Sequence, residues 1–551
     1  MGKRSKPALS RRNRLMELNI LAYLSAMLGV FPLFFLHQYE KIGTLKYTLF
    51  FYSSTIFLGI TILLVTLKII AVLTGRMSHP NIVTAGGRSF YALKLSFADK
   101  VMLFYGACVL LSFLFSDFKE FALKGADGWQ MGLCAQLIFL GLYFVLSRYR
   151  TCTKVVMVTH FISSGLVFLL GILHRFDVDP VGMYPGLTVL QKKEFLSTLG
   201  QATWYSSYVC TVFSLGIMVF YFAKKAYIRL GAAVYAVLAF GTLVTQNSDS
   251  AFVAIAGVLL ILGYFSLGSP ERLVRFWQLM ALIWGTFGSM GLLQRIFVER
   301  MIPLDSLSLF FSQSICTWIC FAVSVLICLL LERSSADKLE TLLPFLKILY
   351  RIMLVILALS LLGLVIFIYL NTKGYLLQRF GYQSANTYLY FNHQWGNNRG
   401  SSWMLAWQQF KELPLIHKLF GVGPDSFSAH LYSMEETREY LRALWGNLTL
   451  TNAHNEYLNH LICYGVAGLL AWLGVLVGGI LYFYKKAADK PWLIGFVLCI
   501  AAYGCHNFFC YQQVCCTPFL FIFMGLGEGL TKWGKSPTII RNGKNKGKSK
   551  V

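Results

Sequence analysis

Charge is what this 551-residue chain has least of. Only 13% of its residues are charged and only 24 are acidic, against roughly 25% charged in an ordinary soluble domain. That scarcity excludes a cytosolic enzyme, whose surface needs charge, and a disordered regulator, whose length depends on it. The 13 cysteines include no CxxC pair and none lies in the longest polar loop. A structural zinc site and a secreted disulfide scaffold are thereby excluded. Most cysteines, such as Cys108, Cys316, Cys320 and Cys328, fall in apolar runs and read as packing residues; Cys510, Cys515 and Cys516 form one loose cluster. The nucleophile pattern GxSxG and the zinc pattern HExxH are also missing.

What is abundant is apolar: 56% hydrophobic and 16% aromatic residues. A hydrocarbon core of about 30 Å asks for about 20 apolar residues per helix. Fourteen segments qualify: 18–36, 47–74, 101–116, 129–147, 155–173, 204–223, 230–246, 250–268, 277–294, 308–331, 352–370, 457–483, 492–509 and 513–530. The first is too long, and lacks the small-residue cleavage site, for a signal peptide. The sequence therefore predicts an all-α polytopic membrane protein of about fourteen transmembrane helices. Lys68 is the single basic residue expected deep in a span.

The net charge of +25 raises the question of nucleic acid, and its distribution answers it. With both basic termini placed in the cytoplasm, the whole excess falls on the cytoplasmic segments and the external ones balance, as the positive-inside rule expects. The charge records topology and contact with lipid, and no nucleic-acid partner is implied. The expected organisation is a basic cytoplasmic N-terminus (1–17), a membrane domain of about eleven helices (18–370), an external cap (371–456), three C-terminal helices (457–530) and a basic cytoplasmic tail (531–551). The localisation that follows is a multi-pass plasma-membrane protein.

The cap interrupts the pattern of short connections. Loops of this length are functional or disordered, and this one, rich in Trp, Tyr, Phe and Leu, is not disordered by composition. Trp403, Trp407, Phe410 and Leu413 recur at helical spacing ahead of Pro414. Phe420–Phe427 is turn-rich, and Ser433-x-x-Glu436 has the form of a capping box opening a helix over Met434–Leu444. The cap is thus expected to be small, helical and external, between the eleventh and twelfth spans. Asn447-Leu-Thr449 matches a glycosylation sequon in the same external segment.

Two clusters in the cap carry chemistry. Thr451-Asn-Ala-His454-Asn455-Glu456-Tyr457 precedes an apolar run, so ionisable groups sit at the end of a span, where they are functional candidates. Glu456 and His460 share a helix face at i,i+4, but two ligands without a third make a poor metal site. Asn397-Asn-Arg399-Gly-Ser-Ser-Trp403 puts a guanidinium at the start of the first cap helix, and Arg is suited to gripping phosphate through two parallel hydrogen bonds. A histidine tunable near neutral pH and an arginine for phosphate suggest attack of a hydroxyl on a sugar whose leaving group is a lipid-linked pyrophosphate. Trp395, Trp403 and Trp445 would stack on sugar or anchor the cap. No nucleotide, metal or other cofactor is called for, because the donor arrives activated.

The ordered set Arg399-Gly-Ser-Ser-Trp403, Phe420-Gly-Val-Gly-Pro-Asp-Ser-Phe427, Ala453-His-Asn-Glu-Tyr-Leu458 and Tyr464-Gly-Val-Ala-Gly468 resembles the O-antigen ligase family, densely over residues 395–470. Looser echoes occur in Phe115-Ser-Asp-Phe, Gly125, Gly132-Leu and Leu199-Gly-Gln-Ala-Thr-Trp-Tyr205. That family also holds polysaccharide polymerases and some protein oligosaccharyltransferases. The resemblance implies a catalytic histidine at His454 and an arginine at Arg399 that binds an undecaprenyl-pyrophosphate donor, with a glycan, lipid or protein hydroxyl as acceptor. Asn455, Glu456, Trp403 and Arg379 are expected to bind substrate. The family's further arginine, in an external Ser-Arg-Gly-like turn, is absent: the comparable turn reads Asn247-Ser-Asp249-Ser-Ala. Arg379, Arg175 or Lys192 with Lys193 remain open as substitutes, and fourteen spans exceed the family's usual twelve. A flippase for lipid-linked sugars is the competing class, opposed by the aromatic cap and by the scarcity of charge within the spans.

Overall fold

The computed structural model describes residues 7–75, 82–85, 88–91, 95–149, 154–384, 386–446 and 448–533. The remaining basic tail, the first six residues and Asn447 of the sequon lie outside the described residues. The described residues are predominantly helical and include two small two-stranded sheets, Ile82–Ala85 with Arg88–Tyr91 and Phe195–Leu196 with Gly200–Gln201. Helix is forced by the solvent: backbone groups at membrane depth find no water, and a helix satisfies its own.

Ten helices among the described residues are long and apolar enough to cross a bilayer. The shorter apolar helices Leu133–Leu146, Ser250–Ser266 and Pro491–His506, together with Thr517–Trp533, occupy the remaining four expected segments. The all-α polytopic membrane fold is as expected. Ala202–Phe222 runs through the middle, 94% buried, whereas Ala336–Thr372 stands at the periphery with its apolar window unburied.

Several segments differ in detail. The span expected over 308–331 is broken into Ser306–Gln313 and Ile315–Arg333 by extended backbone at Ser314, whose hydroxyl caps the second helix at Cys316 N. The span expected at 352–370 belongs to a helix of 37 residues, Ala336–Thr372. Lys68 is not the only basic residue in the second span. The second helix starts at Ile42, and so includes Lys46, whose side chain is fully buried. Its ammonium donates to Phe31 O at 2.6 Å and Pro32 O at 3.2 Å, where the first span ends. Carbonyls released there need a donor, and a charged one is strong. Gly529-x-x-x-x-Gly534-Lys535-Ser536 has the spacing of a phosphate-binding loop. Its first five residues, however, end the helix Thr517–Trp533, and the strand such a loop requires does not precede them.

Between Thr372 and Glu456 lie the helices Tyr375–Phe380, Trp395–Glu412, Leu415–Phe420, Phe427–Ser433 and Glu435–Trp445, plus a 3-10 turn at Thr387–Leu389. Both helices expected there are present. The capping box is not: the last helix is capped by Met434 without a side-chain bond, and the Ser433 hydroxyl instead donates back to His430 O at 2.7 Å.

One break in a span decides how this segment docks. Within Glu456–Leu473, Gly465 has φ +67°, ψ −170°, which ends the helical ladder for a turn. Carbonyls freed by the break accept from the turn-rich segment: Val422 N reaches Ile462 O at 3.0 Å and Gly423 N reaches Cys463 O at 3.1 Å. A Cβ at Gly465 would collide with the Leu419 backbone, and one at Gly421 (φ +78°) with the Cys463 carbonyl. Gly465→Ala and Gly421→Ala combine left-handed strain with backbone overlap. Each is expected to destabilise the protein by about 1–3 kcal/mol or more, read as a lower melting temperature in detergent. An unchanged melting temperature for both would contradict this docking.

Candidate functional site

His454 is placed by its neighbours. Asn452 Oδ1 accepts from His454 N at 2.9 Å, the residue adopts φ +48°, and Asn459 Oδ1 takes Ala453 N at 3.3 Å. Asn455 is the N-cap of the following helix, accepting from Leu458 N at 2.9 Å. The Glu456 carboxylate turns inward to Tyr503 OH, at 3.2 Å, and to the Asn507 amide. His460 points elsewhere, its Nδ1 against Glu456 O and its ring stacked on Trp472 at 4.9 Å. Among the described residues the His454 ring has no hydrogen-bonding partner; the Tyr511 ring meets it edge-on at 5.4 Å.

Arg399 follows three left-handed residues, Gly396, Asn397 and Asn398, which turn the chain so that the helix proper begins at the arginine. One guanidinium nitrogen donates to Gly396 O at 2.9 Å and the group lies over the Phe509 ring, 6.0 Å away. Its Nε is buried without a partner among the described residues. Trp403, one turn on, stacks on Phe509 at 6.0 Å and packs against Trp395 at 5.1 Å. Burial lowers the His454 pKa to about 4, and the nearby positive charge of Arg399 pushes the same way. At neutral pH the imidazole is therefore uncharged, with a nitrogen available to take a proton.

The other cations stand apart from this pair. Arg379 lies exposed on the short Tyr375–Phe380 helix. Arg175 is fully buried and holds backbone carbonyls of Thr245 (2.6 Å), Gln246 and Lys193. Lys192 pairs with Asp177 at 2.6 Å and Lys193 with Asp305 at 2.9 Å. The turn that lacks an arginine presents an acid instead. Asp249 interacts with Arg399 and takes a long contact, 3.5 Å, from Tyr388 OH. Burial, reinforced by the negative charge of Asp305, raises the Asp249 pKa against the opposing pull of Arg399.

Asp425 joins the early and late parts of the chain. Its Oδ2 accepts from Ala126 N at 2.9 Å and Met131 N at 3.0 Å, and Ser116 Oγ donates to Val422 O at 2.6 Å. The segments around Ser116, Gly125 and Gly132 thus close against Phe420–Phe427. Beside them a cavity with room for about one water molecule (about 10 Å3) is lined by Trp129, Asp425, Asn452, Asn459, Tyr511 and Gln512. Trp129 packs edge-on against Trp204 and Tyr511, at 4.6 and 5.0 Å, and Trp204 Nε1 donates to Tyr511 OH at 3.1 Å. Trp129, Tyr511 and the buried His506 and Asn507 were not singled out from sequence, whereas Trp204 falls in the Leu199–Tyr205 stretch quoted there. The polar run His506-Asn507 at the end of an apolar segment was the available signal. The described cysteines, including Cys510, Cys515 and Cys516, are free thiols.

Residues 301–473 match the family model described as O-Antigen ligase. The match bears out the resemblance and spans both Arg399 and His454, while Trp129, Trp204 and the His506–Tyr511 turn fall outside it. No curated protein matches the chain.

The Asp425 carboxyl supplies a test of how these segments are held. Burial raises its pKa from the ordinary 3.8 to about 7, against the two backbone N–H groups that favour the charged form. The folded state thus binds the proton more tightly than the unfolded one, and stability should fall as pH rises from about 4 to about 7, then level off. Asp425→Asn keeps an acceptor and removes the titration. Its melting temperature should be flat over that window relative to wild type, and identical pH profiles would reject the assignment.

Proposed function

We propose that this protein, an integral membrane protein with an O-antigen ligase region over residues 301–473, transfers a glycan from an undecaprenyl-pyrophosphate donor to a hydroxyl acceptor. The observation that carries the proposal is the placing, against the Phe509–Tyr511 turn, of an uncharged imidazole on Tyr511 and a buried guanidinium with an unpaired Nε on Phe509. In the reaction, His454 removes the proton of the acceptor hydroxyl as its oxygen bonds to the anomeric carbon. The bond from that carbon to the pyrophosphate oxygen breaks, and Arg399 stabilises the charge gathering on the leaving group. General-base catalysis of this kind is worth about 10²–10⁴ in rate, and charge stabilisation at a dry site is commonly the larger effect.

The positive-inside pattern supports placing both termini in the cytoplasm and the 371–456 segment on the external face of a bacterial plasma membrane. The leaving pyrophosphate is already activated, so the scheme uses neither nucleotide nor metal. Trp403, stacked on Phe509 beside Arg399, is positioned for the donor's sugar or its lipid-proximal end. Asn455 and Glu456 fix the start of the helix that follows His454 and act on substrate only through it, and Arg379 contributes at the interface.

Proteoliposomes supplied with undecaprenyl-pyrophosphate saccharides and EDTA, without nucleotide, test the reading. Wild type is expected to form glycosidic product, while His454→Ala and Arg399→Ala form none at unchanged membrane levels; full activity of either variant would overturn the site. A ladder of products identifies a polymerase, a single added block identifies a ligase, and lipid crossing without product identifies a flippase.

The pH dependence gives a second test. A protonated His454 cannot act as a base, so kcat/KM should stay level from pH 7 down to about 5 and fall only near pH 4. An acid limb at the ordinary histidine pKa of 6.5 would contradict the burial and the Arg399 charge that set the lower value.

A further inference from the structure

The reading above leaves a buried polar chain unused. His506, at the end of the Ile494–His506 helix, is fully buried. Its Nε2 lies 2.6 Å from Ser206 Oγ and 2.9 Å from Ser250 Oγ, and its Nδ1 lies 3.2 Å from Asn507 Oδ1. The Asn507 amide nitrogen faces the Glu456 carboxyl group and the amide oxygen faces His506 and Ser207. Both ring nitrogens are thus engaged, Nδ1 with the Asn507 amide oxygen and Nε2 between the Ser206 and Ser250 hydroxyls.

Each end of this chain holds one half of the site. Ser250 opens its helix directly after Asp249, an acid that feels the Arg399 charge, and is bonded to Ser248 at 2.8 Å. Asn507 O accepts Glu456 N at 3.0 Å, two residues beyond His454. From Asn507 the chain runs straight into the site. Phe508 and Phe509 pack on Trp403, at 5.6 and 6.0 Å; Phe509 lies under Arg399; Tyr511 meets the His454 ring.

We propose that His506 is a positioning residue: clamped between Ser206, Ser250 and Asn507, it anchors the His506–Tyr511 turn that spaces the Arg399 guanidinium from the His454 imidazole. The role lies outside the stretch matched by the family model and touches neither substrate nor reacting atoms. Misplacement of a reacting geometry by about 1 Å costs about 10²-fold in rate, so the expected signature is in kcat, per folded molecule.

The inference rests on the glycosyl-transfer reading, and the experiment separates the two. Wild type, His506→Leu, His506→Gln and the milder Ser250→Ala are reconstituted, folded protein is quantified by monodisperse elution, and kcat and donor KM are measured per folded molecule. In parallel, alkylation of the buried Cys510 is followed by peptide mass analysis. His506→Leu is expected to lower kcat by about 10–100-fold with donor KM within about threefold, and to expose Cys510. His506→Gln, which extends an acceptor toward the two serines, recovers most of the kcat, and Ser250→Ala shows a smaller loss. Should His506→Leu fail to fold, Gln and Ser250→Ala decide by the same criteria. Wild-type turnover in the folded variants, or lost protein with unchanged turnover per molecule, overturns the proposal. If wild type itself forms no product, the transfer reading fails, and Cys510 alkylation alone decides whether His506 anchors the turn: unchanged protection overturns it.

Discussion

A backbone carbonyl at membrane depth has to find a donor, and the broken ladder at Gly465 is where this protein uses that requirement to build. The carbonyls of Ile462 and Cys463, released from their own helix, take N–H groups from Val422 and Gly423, and the Ser112 hydroxyl adds to Cys463 at 2.6 Å. A span is thereby joined to the segment that precedes it by backbone bonds as well as by side-chain packing. Asp425 extends the junction to Ala126 and Met131, so residues three hundred positions apart are fixed to one frame. His454 stands at the near end of that same helix, which inherits its position from the break.

The frame explains the electrostatics. Two groups that would each carry positive charge, His454 and Arg399, are brought together in a largely dry setting around the Phe509–Tyr511 turn. The arginine keeps its charge, and the histidine gives its proton up, because burial and the arginine both act against imidazolium. Nearby, Asp249 stands in the turn where the family's further arginine was anticipated; burial and Asp305 raise its pKa, and the Arg399 charge opposes that shift.

Hydropathy made the helices legible, because a bilayer imposes one length and one composition on every span. It could not place Lys46, whose role depends on carbonyls left over at Phe31 and Pro32, nor the break at Ser314, which is a matter of one residue's ψ. The Ser433-x-x-Glu436 pattern had the right composition and the wrong bonds, since the serine found a nearer carbonyl at His430. In the site, His454 and Arg399 were readable because ionisable groups beside apolar runs are conspicuous. Trp129, Trp204 and Tyr511 were not, because aromatics are common throughout this sequence and only their meeting in space distinguishes them.

The Ala336–Thr372 helix buries only Leu339, Leu343 and Asn371. At 1.5 Å per residue it is about 55 Å long, far more than a hydrocarbon core spans. Its N-terminal half is steadied by Tyr350 on Leu260 O and Arg351 on Tyr264 OH, and its far end by Asn371 on Leu389 O. A hydrophobic stretch of that length is accommodated in a bilayer by tilting, kinking or local thickening of the lipid. Because Leu389 leads within six residues to Trp395, the far end of this peripheral helix is tied to the segment that carries Arg399.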